Sequence, residues 1–322
     1  MKRAMGHRIT YYIGLLLLLF YLAAPTQAQF NCRTNNGGTI TITGYTGNGG
    51  AVIIPSSIEG HSVVSIGSLA FVDCSSLTSI TLPYGVTNIG SSAFAHCTSL
   101  TNVSIPGSVQ GIHDYAFWSC TSLTTVGFPT NGLWSISNSA FASCTSLASV
   151  TLCPSALYFE VLGDGAFANC TALTNVIITG DRTIGDHAFF FCTNLVGVYC
   201  TGSRVRLLGP SVFTGDNRAT FYYLPSAANW SNSVGGLPTR PWQPRLTPAS
   251  NSAPDLQTNG FGFDIDWARG TTVVVQATTN LANPDWLPLK TNTLGWVWEG
   301  RLHFRDEDWT NYPTRFYRVL GQ

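Results

Sequence analysis

The sequence predicts an α/β solenoid of short parallel strands and short helices, followed by a small all-β sandwich-like domain. Three observations predict it. A motif, Ala-Phe-x-x-Cys-Thr-x-Leu in its fullest form, recurs at near-regular intervals through the middle of the chain. An alternating apolar run follows the motif's leucine and, in the first three copies, ends at a proline. After Tyr223 the composition turns to Pro, Ser, Thr and Asn, and then to alternating runs of Val, Phe and Trp. Self-similarity at a period of a few tens of residues marks an architecture of stacked coils.

The N-terminal segment is read first. Lys2, Arg3 and Arg8 precede a long apolar run, and Thr26-Gln27-Ala28 supplies small residues at a cleavage site. This layout predicts a secretory signal peptide over residues 1–28. The chain holds 16 Lys+Arg and 16 Asp+Glu, so loss of those three cations would leave 13 basic against 16 acidic groups. No lysine or arginine lies between Arg33 and Arg182. Binding to nucleic acid needs cations to neutralise phosphates, so that class is excluded. No second long apolar run occurs, so no membrane insertion is expected after cleavage.

The repeat occupies most of a predicted solenoid over residues 29–225, which includes an N-terminal cap. Cys74, Cys97, Cys120, Cys144, Cys170 and Cys192 are 23, 23, 24, 26 and 22 residues apart. Phe71, Phe94, Phe117, Phe141, Phe167 and Phe189 each stand three positions earlier, and Leu77, Leu100, Leu123, Leu147, Leu173 and Leu195 three later. Spacing of i and i+3 places Phe and Cys on one face of a short helix. The runs after the leucines, such as 77–82 and 100–105, alternate with period two and predict strands with one buried face. Pro83, Pro106 and Pro129 end them. Ile66, Ile89, Ile112, Ile136 and Ile184 lead the chain back to the next helix. A single coil cannot cover its own apolar face, whereas a stack makes a continuous core.

The pattern Ile-Gly-x-x-Ala-Phe-x-x-Cys-Thr-Ser-Leu-Thr-x-Val-x-Ile-Pro resembles the leucine-rich repeats of BspA-like bacterial and protozoan surface proteins, over roughly residues 50–225. That resemblance implies an extracellular adhesion or recognition role, with no enzymatic activity in the repeat.

The repeat cysteines fill core slots as small hydrophobes. Bridges between neighbouring coils are not expected, because helices pack ~8–10 Å apart and disulfides need Cα atoms ~4.4–6.8 Å apart. Cys200 takes a strand core slot, while Cys32 and Cys153 stand off the pattern, where pairing of either stays open.

Between the core positions of each strand, residues point out onto a concave sheet. They are small and hydroxylated through Ser149 and Thr151, then apolar and aromatic. The candidate ligand-binding residues are Asn175, Ile177, Tyr199, Phe221 and Tyr223, since aromatic groups give large contact areas at low entropic cost. Catalytic residues, metal sites and cofactors are not expected. The chain has none of the familiar nucleophile, phosphate-loop or metalloprotease motifs. His113-Asp114 and Asp186-His187 precede predicted helices, where the aspartates serve as caps.

Residues 226–258 carry five prolines and predict a linker. Runs at 261–267, 271–278, 286–289, 300–304 and 315–320 predict the strands of a small β-domain over residues 259–322. Its tryptophans, among them Trp267, Trp286, Trp296, Trp298 and Trp309, are read as core. The stretch 273–281, Trp286 and the ending 312–319 resemble a small C-terminal β-domain of secreted proteins from environmental bacteria. The resemblance implies an attachment, sorting or spacer module. The expected whole is a noncatalytic secreted or cell-surface protein that binds an extracellular protein or glycan through its solenoid. The alternative is an envelope-associated scaffold without a specific ligand.

Overall fold

The structure, a computed structural model, describes residues 29–129, 132–152, 161–224, 230–242, 245–248, 261–266, 272–280, 285–294, 301–306, 308, 311 and 315–321. The signal-peptide segment 1–28, Cys153, Trp267, Trp296, Trp298, Trp309 and 312–314 lie outside the described residues.

Each coil has three walls around the core. The first is the predicted strand wall: Gly50–Ile53, Leu77–Thr81, Asn102–Ser104 and Thr125–Gly127 pair in parallel, as do Ser149–Leu152, Asn175–Ile178, Gly197–Cys200 and Thr220–Tyr223. Their register puts like slots side by side: Ile80, Val103 and Val126 in one group, Val150, Val176, Val198 and Phe221 in the other. The second wall is also a parallel sheet, through Asn88–Ile89, Gly111–Ile112, Ser135–Ile136, Val161–Leu162 and Arg182–Ile184. Its isoleucines are the residues expected to lead the chain back, and Ile66, Ile89, Ile112, Ile136 and Ile184 are all fully buried.

The third wall corrects the expectation of short helices. Among the described residues no α-helix occurs, and the Ala-Phe-x-x-Cys segments are chains of tight turns. The reason lies in where the amides point. In one coil Ala93, Ala95 and Cys97 donate to the carbonyls of Gly90, Ser92 and Phe94, three residues back rather than four. The alternate amides, of Ser92, Phe94 and His96, donate along the stack to Asp114, Ala116 and Trp118. Ser92 and His96 have φ of 54° and 61°, and equivalent pairs recur as Leu69 and Asp73, Tyr115 and Ser119, and Ser139 and Ser143. A left-handed residue every fourth position stops a helix from propagating. Consequently all three walls share the ~4.8 Å spacing of strands, and the helix spacing that would bend the sheet into a concave face is absent.

Stacking makes the core a spine of rings. Phe71, Phe94, Phe117, Phe141, Phe167, Phe189 and Phe213 stack with successive centroids 4.9, 5.0, 5.0, 5.3, 5.7 and 5.6 Å apart. The repeat cysteines beside them are unpaired, but not for the reason expected. Coils lie close together, and each thiol from Cys97 onward has a use of its own, whereas Cys74 in the first coil is only partly buried. Cys97, Cys120, Cys144, Cys170 and Cys192 donate to the carbonyls of Phe71, Phe94, Phe117, Phe141 and Phe167 one coil back, at 3.1–3.2 Å. Cys200 is buried in its strand slot as expected, and Cys32 is exposed.

The aspartates read as helix caps brace the stack instead. Asp114 Oδ1 accepts the Asn138 amide, Asn138 Oδ1 the Asp164 amide, and Asp164 Oδ1 the Asp186 amide. Asp186 Oδ1 accepts the amides of Ser211 and His187.

At the N-terminal end Phe30–Thr34 pairs antiparallel with Ile40–Tyr45, which joins the second wall through His61–Ile66. At the other end the strand wall runs past residue 225 into the stretch read as linker. Leu237–Pro241 pairs in parallel with Thr220–Tyr223 and in a hairpin with Ser233–Val234. Trp230 and Leu237 cover the last coil. Beyond it, Arg245–Pro248, Phe261–Asp266 and Arg301–Asp306 form one antiparallel sheet, and Leu287–Thr293, Thr272–Thr278 and Phe316–Gly321 another. Phe263, Ile265 and Phe304 of the first share a small core with Val273 and Val275 of the second, and Leu224 and Trp242 pack against it. Trp286 is half-buried, with the Arg318 guanidinium 4.4 Å from its ring centroid.

Candidate functional site

The strand wall presents two outward rows. One runs Ser79, Asn102, Thr125 and then Ser149, Asn175, Gly197, Thr220. The other runs Thr81, Ser104, Gly127 and then Thr151, Ile177, Tyr199, Tyr222, Arg240. Period-two alternation sends both rows to the side away from the core. The change from hydroxyl to aromatic groups falls between Thr151 and Tyr199, as the sequence implies.

Asn175, Ile177 and Tyr199 stand in these rows, each half-buried. Phe221 and Tyr223 do not. Phe221 is fully buried in the core, and Tyr223 takes the inward slot beside Cys200 and stacks on Trp230 at 5.6 Å. The outward residue is the one between them, Tyr222. The shift has a simple cause. In the preceding coil two residues, Val196 and Gly197, separate Leu195 from the core position Val198, whereas in the last coil Thr220 alone separates the buried Ala219 from Phe221. Deleting one residue from a strand approach turns every side chain to the other face. Alanine in the leucine slot hides that deletion from a motif search.

Tyr199 and Tyr222 stack, 4.9 Å between centroids and 9° between planes. Trp242 joins them, its ring 4.8 Å from Tyr199 and tilted by 50°. Trp242 is fixed by its amide, which donates to the Tyr223 carbonyl at 2.6 Å. Gly197 makes room for the cluster: a Cβ there would come within 2.5 Å of the Tyr199 ring. Burial pushes the Tyr199 hydroxyl above its ordinary pKa, with Tyr222 adding to the shift, so at neutral pH it stays an O–H that donates and accepts. The aromatic face is thus neutral, with Arg240 exposed at its rim. Tyr222, Trp242 and Arg240 are the members that sequence reasoning missed. The only signal for Trp242 is a tryptophan just after a strand-like pair of residues in a proline-rich stretch.

Among the described residues no cluster of three or more His, Cys, Asp or Glu is placed to hold a metal ion. The core thiols are pushed up by burial, to about 12 at Cys120, Cys170 and Cys200. A thiol so far from ionising is not a nucleophile. Among the described residues no helix is long and apolar enough to cross a membrane.

A family model described as BspA type leucine-rich repeat region matches in six copies, over residues 52–161 and 130–232. No curated protein matches. Among solved structures, a leucine-rich-repeat protein of T. pallidum is similar at 35% identity and a TM-score of 0.55, over 60% of this chain and 88% of that one. A leucine-rich-repeat protein of Bacteroides ovatus matches at 22% identity and a TM-score of 0.40, over 61% of this chain and 70% of that one. Another, from Bacteroides capillosus, matches at 28% identity and a TM-score of 0.32, over 46% and 92%.

Proposed function

The chain belongs to the BspA-type leucine-rich-repeat family, and on that premise we propose that it is a noncatalytic, secreted or cell-surface binding protein. It recognises an extracellular protein or glycan through the outward face of its strand wall. The observation that carries this reading is the half-exposed stack of Tyr199 and Tyr222 with Trp242, set at the end of two rows of hydroxyl and amide groups. Rigid aromatic surface beside adaptable polar groups is the composition of binding faces. Placement outside the cell rests on the basic and apolar N-terminal segment with its small-residue site.

The test is to probe arrays of extracellular-matrix proteins and polysaccharides with the chain lacking residues 1–28, beside its Tyr199→Ala/Tyr222→Ala variant. The proposal expects at least one ligand whose binding falls about tenfold or more in the variant, the usual size of an aromatic hot-spot loss. Equal binding by both proteins would move the site elsewhere. Capture of no ligand at all would favour the envelope-scaffold reading.

A further inference from the structure

The second wall carries a cavity far from the aromatic stack, at the N-terminal end. Pairing aligns Arg33, Thr41, Ser65 and Asn88 in one lateral row across four adjacent strands. With Ser68, Ser91 and His113 from the next turn, that row lines a cavity of about 260 Å³. The volume lies just under the usual range for small-molecule sites and accommodates one sugar ring.

Its chemistry is selective. Arg33 and His113 line it and no Asp or Glu does. Arg33 has no acidic partner among the described residues, and it is the only lysine or arginine between the N-terminal segment and Arg182. A guanidinium presents a planar fork of N–H donors that fits a carboxylate in two parallel hydrogen bonds. The rest of the lining is neutral and dense in hydroxyls. Thr41 Oγ1 is committed to Asn35 Oδ1, and the Asn88 Nδ2 group to Thr87. That leaves Asn88 Oδ1 as an acceptor, beside the hydroxyls of Ser68 and Ser91. One cation beside several neutral donors and acceptors suits a singly charged, polyhydroxylated ligand better than a phosphate dianion.

We infer that this cavity is a binding site for a hexuronic acid, free or as a residue of an acidic polysaccharide, with Arg33 holding the carboxylate and the Asn88 and serine groups the ring hydroxyls. The inference does not depend on the aromatic face.

Titration calorimetry of the chain lacking residues 1–28 with glucuronate, glucose and acetate tests it, with a glucuronate oligomer distinguishing free acid from polymer. Expected is binding of glucuronate in about the millimolar range, as suits one small polar ring, and clearly weaker binding of glucose and acetate. Arg33→Gln should weaken glucuronate about tenfold or more, as loss of a charged hydrogen-bonding partner does. Ser91→Trp, which fills the cavity, should abolish binding, and both variants should melt where the wild type does. Equal binding of glucose or acetate, unchanged affinity in Arg33→Gln, or no glucuronate binding would each overturn the assignment.

Discussion

One side chain departs from the repeat in a way that has a measurable cost. Where six coils place a cysteine, the seventh places Asp216, buried and with both carboxyl oxygens lacking a hydrogen-bond partner. Burial pushes its carboxyl up to about 8 from an ordinary 3.8. The folded value is the raised one, so the folded chain holds the proton while the unfolded chain releases it. The charge cost of Asp216 is therefore absent below about pH 4, and stability falls as pH rises from there through about 8. Asp216→Cys restores the thiol that donates to the preceding coil's Phe carbonyl. It should stabilise the protein by about 1–3 kcal/mol at neutral pH and flatten that part of its pH profile. Melting both proteins at pH 5 and pH 8 checks this; profiles that stay parallel contradict it. At this scale the sequence is legible wherever the slot keeps its residue type. Phe71 through Phe189 and Cys97 through Cys192 all lie where the motif puts them. Legibility ends where a slot is filled by a smaller residue, since Ala219 concealed the missing position that turns Phe221 inward and Tyr222 outward.

In an individual element, period alone cannot separate a helix from a chain of turns. Phe and Cys at i and i+3 face the core in either case, so the Ala-Phe-x-x-Cys segment gave no sign that its alternate amides would bond along the stack. The positive-φ positions were the available signal: Gly165 stands in the series of Leu69 and Tyr115, and Gly215 in that of Asp73 and Ser119. This difference fixes the sign of a mutation. Leu69 has φ of 62° and is 57% exposed. In a helix Leu→Gly would cost about 1 kcal/mol, whereas here Leu69→Gly relieves a left-handed strain and should raise stability by up to about 1 kcal/mol. Chemical denaturation decides between them, and a destabilised variant would argue against the turn wall. In the strand wall, Gly197→Ala forces the Tyr199 ring off its seat. It should reduce ligand binding while shifting the melting temperature by only a few degrees; unaltered binding would remove Tyr199 from the site.

The molecule as a whole is close to one-dimensional: each coil contacts its neighbours, and stability is a sum of coil and interface terms. A core lesion at the centre should therefore do more than subtract energy. Phe141→Ala removes a fully buried ring stacked on both sides, at a cost of about 3–5 kcal/mol. It should split thermal unfolding into two steps, one for the coils on each side, as calorimetry would show; a single sharp transition would mean that cooperativity runs past the gap. Stacked coils and a small β region at the end were legible in the sequence because they are written in periodicity. The continuation of the strand wall through Leu237–Pro241 was not, since its prolines hid a strand that contributes Arg240 and leads into Trp242.

Recognition through the outward strand face is the central claim at this scale, and hydrogen exchange on the chain bound to its strongest array ligand tests it most directly. The structure predicts slowed exchange concentrated in Asn175–Ile178, Gly197–Cys200 and Thr220–Tyr223, with the turn wall unchanged. Protection confined to the turn wall or to the C-terminal sheets would contradict it.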